Sequence, residues 1–156
     1  ARQALTRLAF PQHLVAKVVL LVRHHMFHYT PQTSDAALRR LIMKVGEANI
    51  YDLIALRQAD AAAVGVPATA KARRGEIAQL KERIDRLLAQ EHAWDLSALA
   101  VNGHDLMREL GLPPGPLIGK LLRSLLEEVI TDPSRNRREV LLALAREKLP
   151  ELSPGE

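Results

Sequence analysis

Between Val101 and Val129 the chain reads VNGHDLMRELGLPPGPLIGKLLRSLLEEV, and this run spells two helices with the turn that joins them. Asn102 offers a side-chain oxygen to the free amides of a first helix, and Asp105, three positions on, completes an approximate capping box. Gly111 ends that helix. Leu112 to Gly115 is a turn, and Pro116 fits the first position of a second helix, where its missing N–H costs nothing. Leu117, Ile118, Leu121, Leu122, Leu125 and Val129 then form one apolar stripe at helical spacing. A compact helix-turn-helix unit is expected here.

The rest of the chain has the same character. It has 156 residues, enough for one domain or two small helical subdomains, and only 3% of them are aromatic. Ala and Leu dominate, and no stretch alternates β-branched with polar residues, so the expected class is all-α with no sheet. The absence of cysteine excludes disulfides and thiolate metal sites and suits a reducing cytoplasm. Apolar runs such as Val18 to Val22 are far below the roughly 20 residues that span a bilayer, and no signal peptide is visible. Residues 1–65 carry 8 Lys and Arg against 4 Asp and Glu, whereas residues 96–156 carry 8 against 9. The basic excess of the N-terminal half favours a polyanionic partner, RNA being one.

Taken in order, residues 1–10 close a helix and Pro11 opens another, over residues 12–27, whose Leu14, Val15, Val18, Val19, Leu21 and Val22 predict a mostly buried central helix. His24, His25 and His28 sit near its end, where histidines suit the helix dipole. Ser34 caps a helix over 35–45 that stops at Gly46, with Leu38, Leu41, Ile42 and Val45 inward and Arg39, Arg40 and Lys44 as a basic outer face. A third helix, 48–64, buries Ile50, Leu53, Ile54, Leu56 and Ala59, with Arg57 and Asp60 spaced to pair. A long charged helix over 69–92 has the narrow stripe Ile77, Leu80, Ile84, Leu87 and Leu88. Trp94 follows it as a hydrophobic hinge. Last comes a helix after Asp132-Pro133, capped by Asn136, with Val140, Leu141, Leu144 and Leu149 covering the core. The expected organisation is a helical body over 1–68, a bridging helix over 69–95, a smaller helical tail over 96–152 and a disordered end over 153–156.

The runs NGHDLM and LGLPPGPLIGKLLRSLL resemble the C-terminal tail of bacterial tRNA nucleotidyltransferases, the CCA-adding enzymes and their poly(A) polymerase relatives. Ser34 to Asp60, SDAALRRLIMKVGEANIYDLIALRQAD, resembles the middle of the same family's helical body. The resemblance implies a part that holds the acceptor and T-arm region of tRNA by shape and phosphate contacts. Catalysis would lie in an N-terminal head that binds Mg2+ with ATP or CTP through an Asp-x-Asp pair, which is not found here. The chain is therefore expected to be a fragment that is inactive alone, with tRNA and the missing head as partners, a homodimer as a further possibility, and no cofactor of its own. Whether the full enzyme adds CCA, A or a poly(A) tail is left open, because the head makes that choice.

The candidate RNA-contacting residues are Lys120, Arg123, Gly115 and Gly119 in the tail and Arg23, Arg39, Arg40 and Lys44 in the body. Lys120 and Arg123, three apart on the polar side of their helix, lie beside the amides that follow Gly115. Two other readings stand beside this one. The resemblance places the body in the HD-type superfamily, so His24 or His25 with Asp60 would be the remnant of a metal-dependent phosphohydrolase, although the upstream His-Asp doublet is not found and no bound metal is expected. The helix over 69–92 would otherwise serve as a dimerisation module. Gly115 to Lys120 is no phosphate loop, since three rather than four residues separate its glycines and Leu121 follows Lys120. His104-Asp105 is a doublet only in appearance, because Asp105 is explained as a cap.

Overall fold

A computed structural model describes residues 1–63, 67–90 and 95–152. Among them the chain forms eight α-helices, two single-turn 3-10 helices and no strand, the all-α class expected. It divides into two compact units, Ala1–Gln90 and Glu91–Glu156. The hinge role for Trp94 and the disorder expected for 153–156 lie outside the described residues.

The first unit contains α1 (Arg2–Arg7), α2 (Gln12–His24), α3 (Asp35–Val45), α4 (Glu47–Ala63) and α5 (Pro67–Ala89). The start and stop of α3 follow from local chemistry. The Ser34 hydroxyl accepts from the Ala37 amide, and Gly46 takes φ 83°, a conformation that costs glycine little. Leu38, Ile42 and Val45 of α3, Ile50, Leu53 and Ile54 of α4 and Leu80, Ile84 and Leu87 of α5 make the core. Burying each such side chain stabilises the fold by about 1.5–3 kcal/mol. The stripe offered to a dimer partner or a bridging contact is thus occupied, at these three α5 positions, by α3 and α4 of its own unit.

Helix α2 differs from its expectation. Only Val15 is buried, while Leu14, Val18 and Val22 are 36–45% exposed and Met26, in the turn after the helix, reaches 72%. The helix meets α1, α3 and α4, and its apolar residues go more than halfway round it, so those at Leu14, Val18 and Val22 remain exposed among the described residues. Lys17 ties it to α4 through Asp52 at 2.6 Å.

The second unit contains α6 (Gly103–Leu110), α7 (Pro116–Thr131) and α8 (Arg138–Leu152), with 3-10 turns at Leu96–Ala98 and Pro133–Arg135. Both halves of the α6 capping box form. The Asp105 amide donates to Asn102 Oδ1 and the Asn102 amide to Asp105 Oδ2, each at 3.0 Å. Gly111 closes the helix in the left-handed region, φ 66° and ψ 30°. Leu106, Leu121, Leu125, Val129, Ile130, Leu141 and Ala145 form the core. At Gly103 a Cβ would stand 3.2 Å from Ile118 Cγ2, so glycine lets the start of α6 approach α7 closely. Asn136 does not cap α8. Its amide clasps an earlier segment instead, donating to Ala98 O at 2.9 Å and accepting from the Ala100 amide at 2.8 Å.

Candidate nucleic-acid interface

In the second unit, four cations have carboxylate partners. Arg138 meets Asp105 at 2.7 Å and Glu109 at 3.2 Å, Arg108 meets the same two acids, and Arg135 and Lys148 both meet Glu128, at 2.6 and 2.8 Å. The Arg138 hydrogen bond holds the Asp105 carboxyl below the ordinary carboxylate range, and Lys148 does the same for Glu128. These pairs bind helices to one another and leave little net charge for a ligand.

Lys120 and Arg123 are different. Both are exposed on α7, and neither makes an ion pair among the described residues. The Arg123 guanidinium lies back over Gly119, with Nη2 3.6 Å from where a Cβ would stand, so Gly119 forms the floor beneath it. Gly115 is extended, φ 171° and ψ 179°, and a Cβ there would meet nothing within 4 Å. It needs no positive φ. The amides expected beside it are fewer than the sequence suggests, since Pro116 has none and the Ile118 amide donates to Gly115 O at 3.2 Å. The charge of Lys120 and Arg123, rather than the helix N-terminus, is what this end of α7 offers. Arg137 and Arg146 of the same unit are also exposed and without ion pairs among the described residues. Sequence reasoning missed both, although Arg146 falls outside the apolar stripe of α8 and Arg137 immediately precedes that helix.

In the first unit the four basic candidates part company. Arg39 is 8% exposed, packed on the inner side of α3 with Leu38 and Ile42, and its charge acts on Asp35. It is not part of an outer face. A long side chain can bury its stem and still hold its head near a carboxylate, which the apolar stripe alone does not reveal. Arg23 is exposed at the last turn of α2. Arg40 and Lys44, one turn apart on α3, line a cleft of about 240 Å3 together with His24 and His28.

The remaining titratable residues do not assemble a metal centre. His25 sets its Nδ1 2.7 Å from the Val22 carbonyl oxygen. Arg57 does not pair with Asp60; its guanidinium lies 5.7 Å from the centre of the Phe27 ring, a cation–π distance. Among the described residues no three His, Asp or Glu side chains converge as ligands, so His24, His25 and Asp60 are not brought together. His104 is exposed and Asp105 is engaged as a cap and ion-pair partner. No helix among the described residues is long and apolar enough to cross a membrane.

Residues 1–145 match the family described as tRNA nucleotidyltransferase domain 2. The chain is also 34% identical, over 125 residues, to the A-adding tRNA nucleotidyltransferase of Deinococcus radiodurans. That alignment covers 80% of this chain but 28% of the relative, so the chain spans well under a third of that protein's length. No solved structure matches the chain significantly.

Proposed function

The chain belongs to the tRNA nucleotidyltransferase family, and on that premise we propose that its two helical units hold the acceptor and T-arm region of a tRNA while a catalytic head extends the 3′ end. The observation that carries this reading is the pair Lys120 and Arg123. It lies in and just after the PGPLIGK segment within the family match, exposed and without ion pairs among the described residues, whereas Arg108, Arg135 and Arg138 of the same unit are held by carboxylates. Duplex RNA suits such a surface, because its deep, narrow major groove cannot be read by side chains and recognition falls to shape, 2′-hydroxyls and phosphates.

Nucleotide addition is assigned to the head. The Mg2+ and ATP or CTP of such a reaction do not fit the residues described here, which bring no three carboxylates or histidines together, and no step is routed through them. A tRNA partner goes with a cytoplasmic location. The A-adding activity is named for the Deinococcus relative; the choice among A, CCA and longer additions would rest with the head.

The test is a salt titration of tRNA affinity for the wild type and for Lys120→Glu with Arg123→Glu. Both side chains are exposed, so the double reversal should leave helicity and melting nearly unchanged, within about 0.5 kcal/mol per site. Each lost phosphate contact should flatten the plot of log affinity against log salt by roughly 0.7–0.9. A reversal that leaves both affinity and slope at the wild-type values refutes the assignment of these two residues. A wild-type chain with no measurable tRNA affinity at low salt refutes the function.

A further inference from the structure

The cleft between the end of α2 and α3 is lined by cations and lacks an acid. Arg40 and Lys44 stand on consecutive turns of α3, and His24, the last residue of α2, and His28, in the segment that follows it, line the same cleft. No Asp or Glu lines it. The nearest acid in sequence, Asp35, is engaged by Arg83, which also donates to the Thr33 carbonyl at 2.6 Å. Arg83 thus engages Asp35 and holds the backbone at Thr33, which lines the cleft. Lys44 makes no ion pair among the described residues, and Arg57 lies over the ring of Phe27, which lines the cleft. The larger cavity of the second unit, about 410 Å3, has the opposite character, because Glu128 lines it and holds both its Arg135 and its Lys148.

We propose that this cleft binds the phosphate of a nucleotide. Lys44 and Arg40 supply the charge, and His24 and His28 donate ring N–H groups, of which even a neutral imidazole has one. Phe27 and Leu41 give the ribose an apolar surface. The volume of about 240 Å3 admits a phosphate with its sugar but is below the roughly 300–1,000 Å3 of pockets that enclose a whole ligand, so the base lies outside. Absence of a carboxylate among the lining residues separates this site from a metal site, for which two histidines alone would be an incomplete donor set. The same chemistry is met by an RNA backbone phosphate and by a free mononucleotide. In the RNA form the inference rests on the tRNA-binding reading; in the mononucleotide form it stands apart from it.

Three probes distinguish the cases: inorganic phosphate, AMP and a tRNA transcript, each titrated into the chain while the His24 and His28 ring resonances are followed by NMR. Both rings should shift with all three probes, and AMP should compete with tRNA only if the occupant is an RNA phosphate. Lys44→Glu and, separately, His28→Ala change exposed side chains and should leave the helical content intact. Lys44→Glu should weaken tRNA binding about tenfold, as expected for one charge-assisted contact, and lower the salt slope by roughly 0.7–0.9. Ring shifts with AMP that do not compete with tRNA would assign the cleft to a free nucleotide. If neither ring moves with any probe, or the variants keep wild-type affinities for AMP and tRNA alike, the proposal is overturned. A chain that binds tRNA normally in both variants, with silent rings, refutes the cleft and spares the function; a chain whose rings respond to AMP but that never binds tRNA does the reverse.

Discussion

Replacing Arg83 with Met tests what holds the Thr30–Asp35 loop in place. The side chain is 17% exposed, and its guanidinium donates to Thr33 O at 2.6 Å, to Asp35 Oδ1 and, at 3.4 Å, to Pro31 O. Hydrogen bonds to charged groups contribute about 1.5–3 kcal/mol when shielded from water, exposed ion pairs about 0.2–1 kcal/mol. Asp35 is 43% exposed, so its share belongs to the lower range, and the long contact to Pro31 adds little. The Thr33 carbonyl carries most of the effect. The expected loss is about 2–3 kcal/mol, a large part of the 5–15 kcal/mol typical of a domain, while Met preserves the packing of the stem. Urea unfolding followed by tyrosine fluorescence reads it, since Tyr29 and Tyr51 both lie in the first unit. The hydrogen bond from Arg83 holds the Asp35 carboxyl below its ordinary value. Its contribution is therefore complete above the unfolded carboxylate value, near pH 4, and is lost as pH falls through the lower folded value. The gap between wild type and variant should narrow on acidification, and the Thr33 share should persist. A loss under about 0.5 kcal/mol at pH 7, or a gap that is the same at pH 7 and pH 3, would refute the reasoning.

Three further outcomes are expected. Gly111→Ala should destabilise the second unit by about 1 kcal/mol, because a Cβ strains the left-handed conformation, whereas Gly115→Ala should change stability by less than about 0.5 kcal/mol; equal melting curves for the pair would contradict the dihedrals. Asn136→Ala removes two hydrogen bonds and should cost about 1–2 kcal/mol, with faster exchange of the Ala100 amide as the local readout. Val18→Ser should be almost silent in urea unfolding while Leu53→Ala, at a fully buried position, costs about 2–5 kcal/mol; a Val18 penalty of the same size would mean that α2 is buried after all.

The elements that the sequence made legible are those whose chemistry is local. Ser34 and Gly46 bound α3 as expected, and Asn102, Asp105, Gly111 and Pro116 bound α6 and α7, because caps and left-handed stops are made by residues within one turn of each other. The all-α class followed for the same reason. Burial was less legible. The apolar density of α2 indicated a helix that favours burial, but which faces are covered depends on helices far along the chain. Arg39 could be placed off the apolar stripe of α3 and still be buried, since a long side chain reaches beyond its own Cβ direction. Arg57 took the face of Phe27, thirty positions earlier, instead of Asp60 one turn away. Asn136 had the composition of a cap and was used to bind Ala98 and Ala100. In the candidate interface, the exposure of Lys120 and Arg123 was readable from helical spacing. The meeting of His24 and His28 with Arg40 and Lys44 was not, because the turn that folds α3 against the end of α2 has no spacing signal.

The clasp by Arg83 also bears on how the chain is made. Its acceptors lie 48, 50 and 52 residues earlier, and the Tyr51–Asp85 hydrogen bond spans 34, whereas the α6 capping box spans three. At about 5–20 residues per second, Arg83 is synthesised roughly 3–10 s after Thr33. During that interval α3 can already form on its own cap, yet the loop beside it has nothing to close against. The Thr33 wall of the cleft is thus held only late in translation, when α5 docks, and a ribosome paused before α5 would present Arg40 and Lys44 beside a loop that Arg83 does not yet fix.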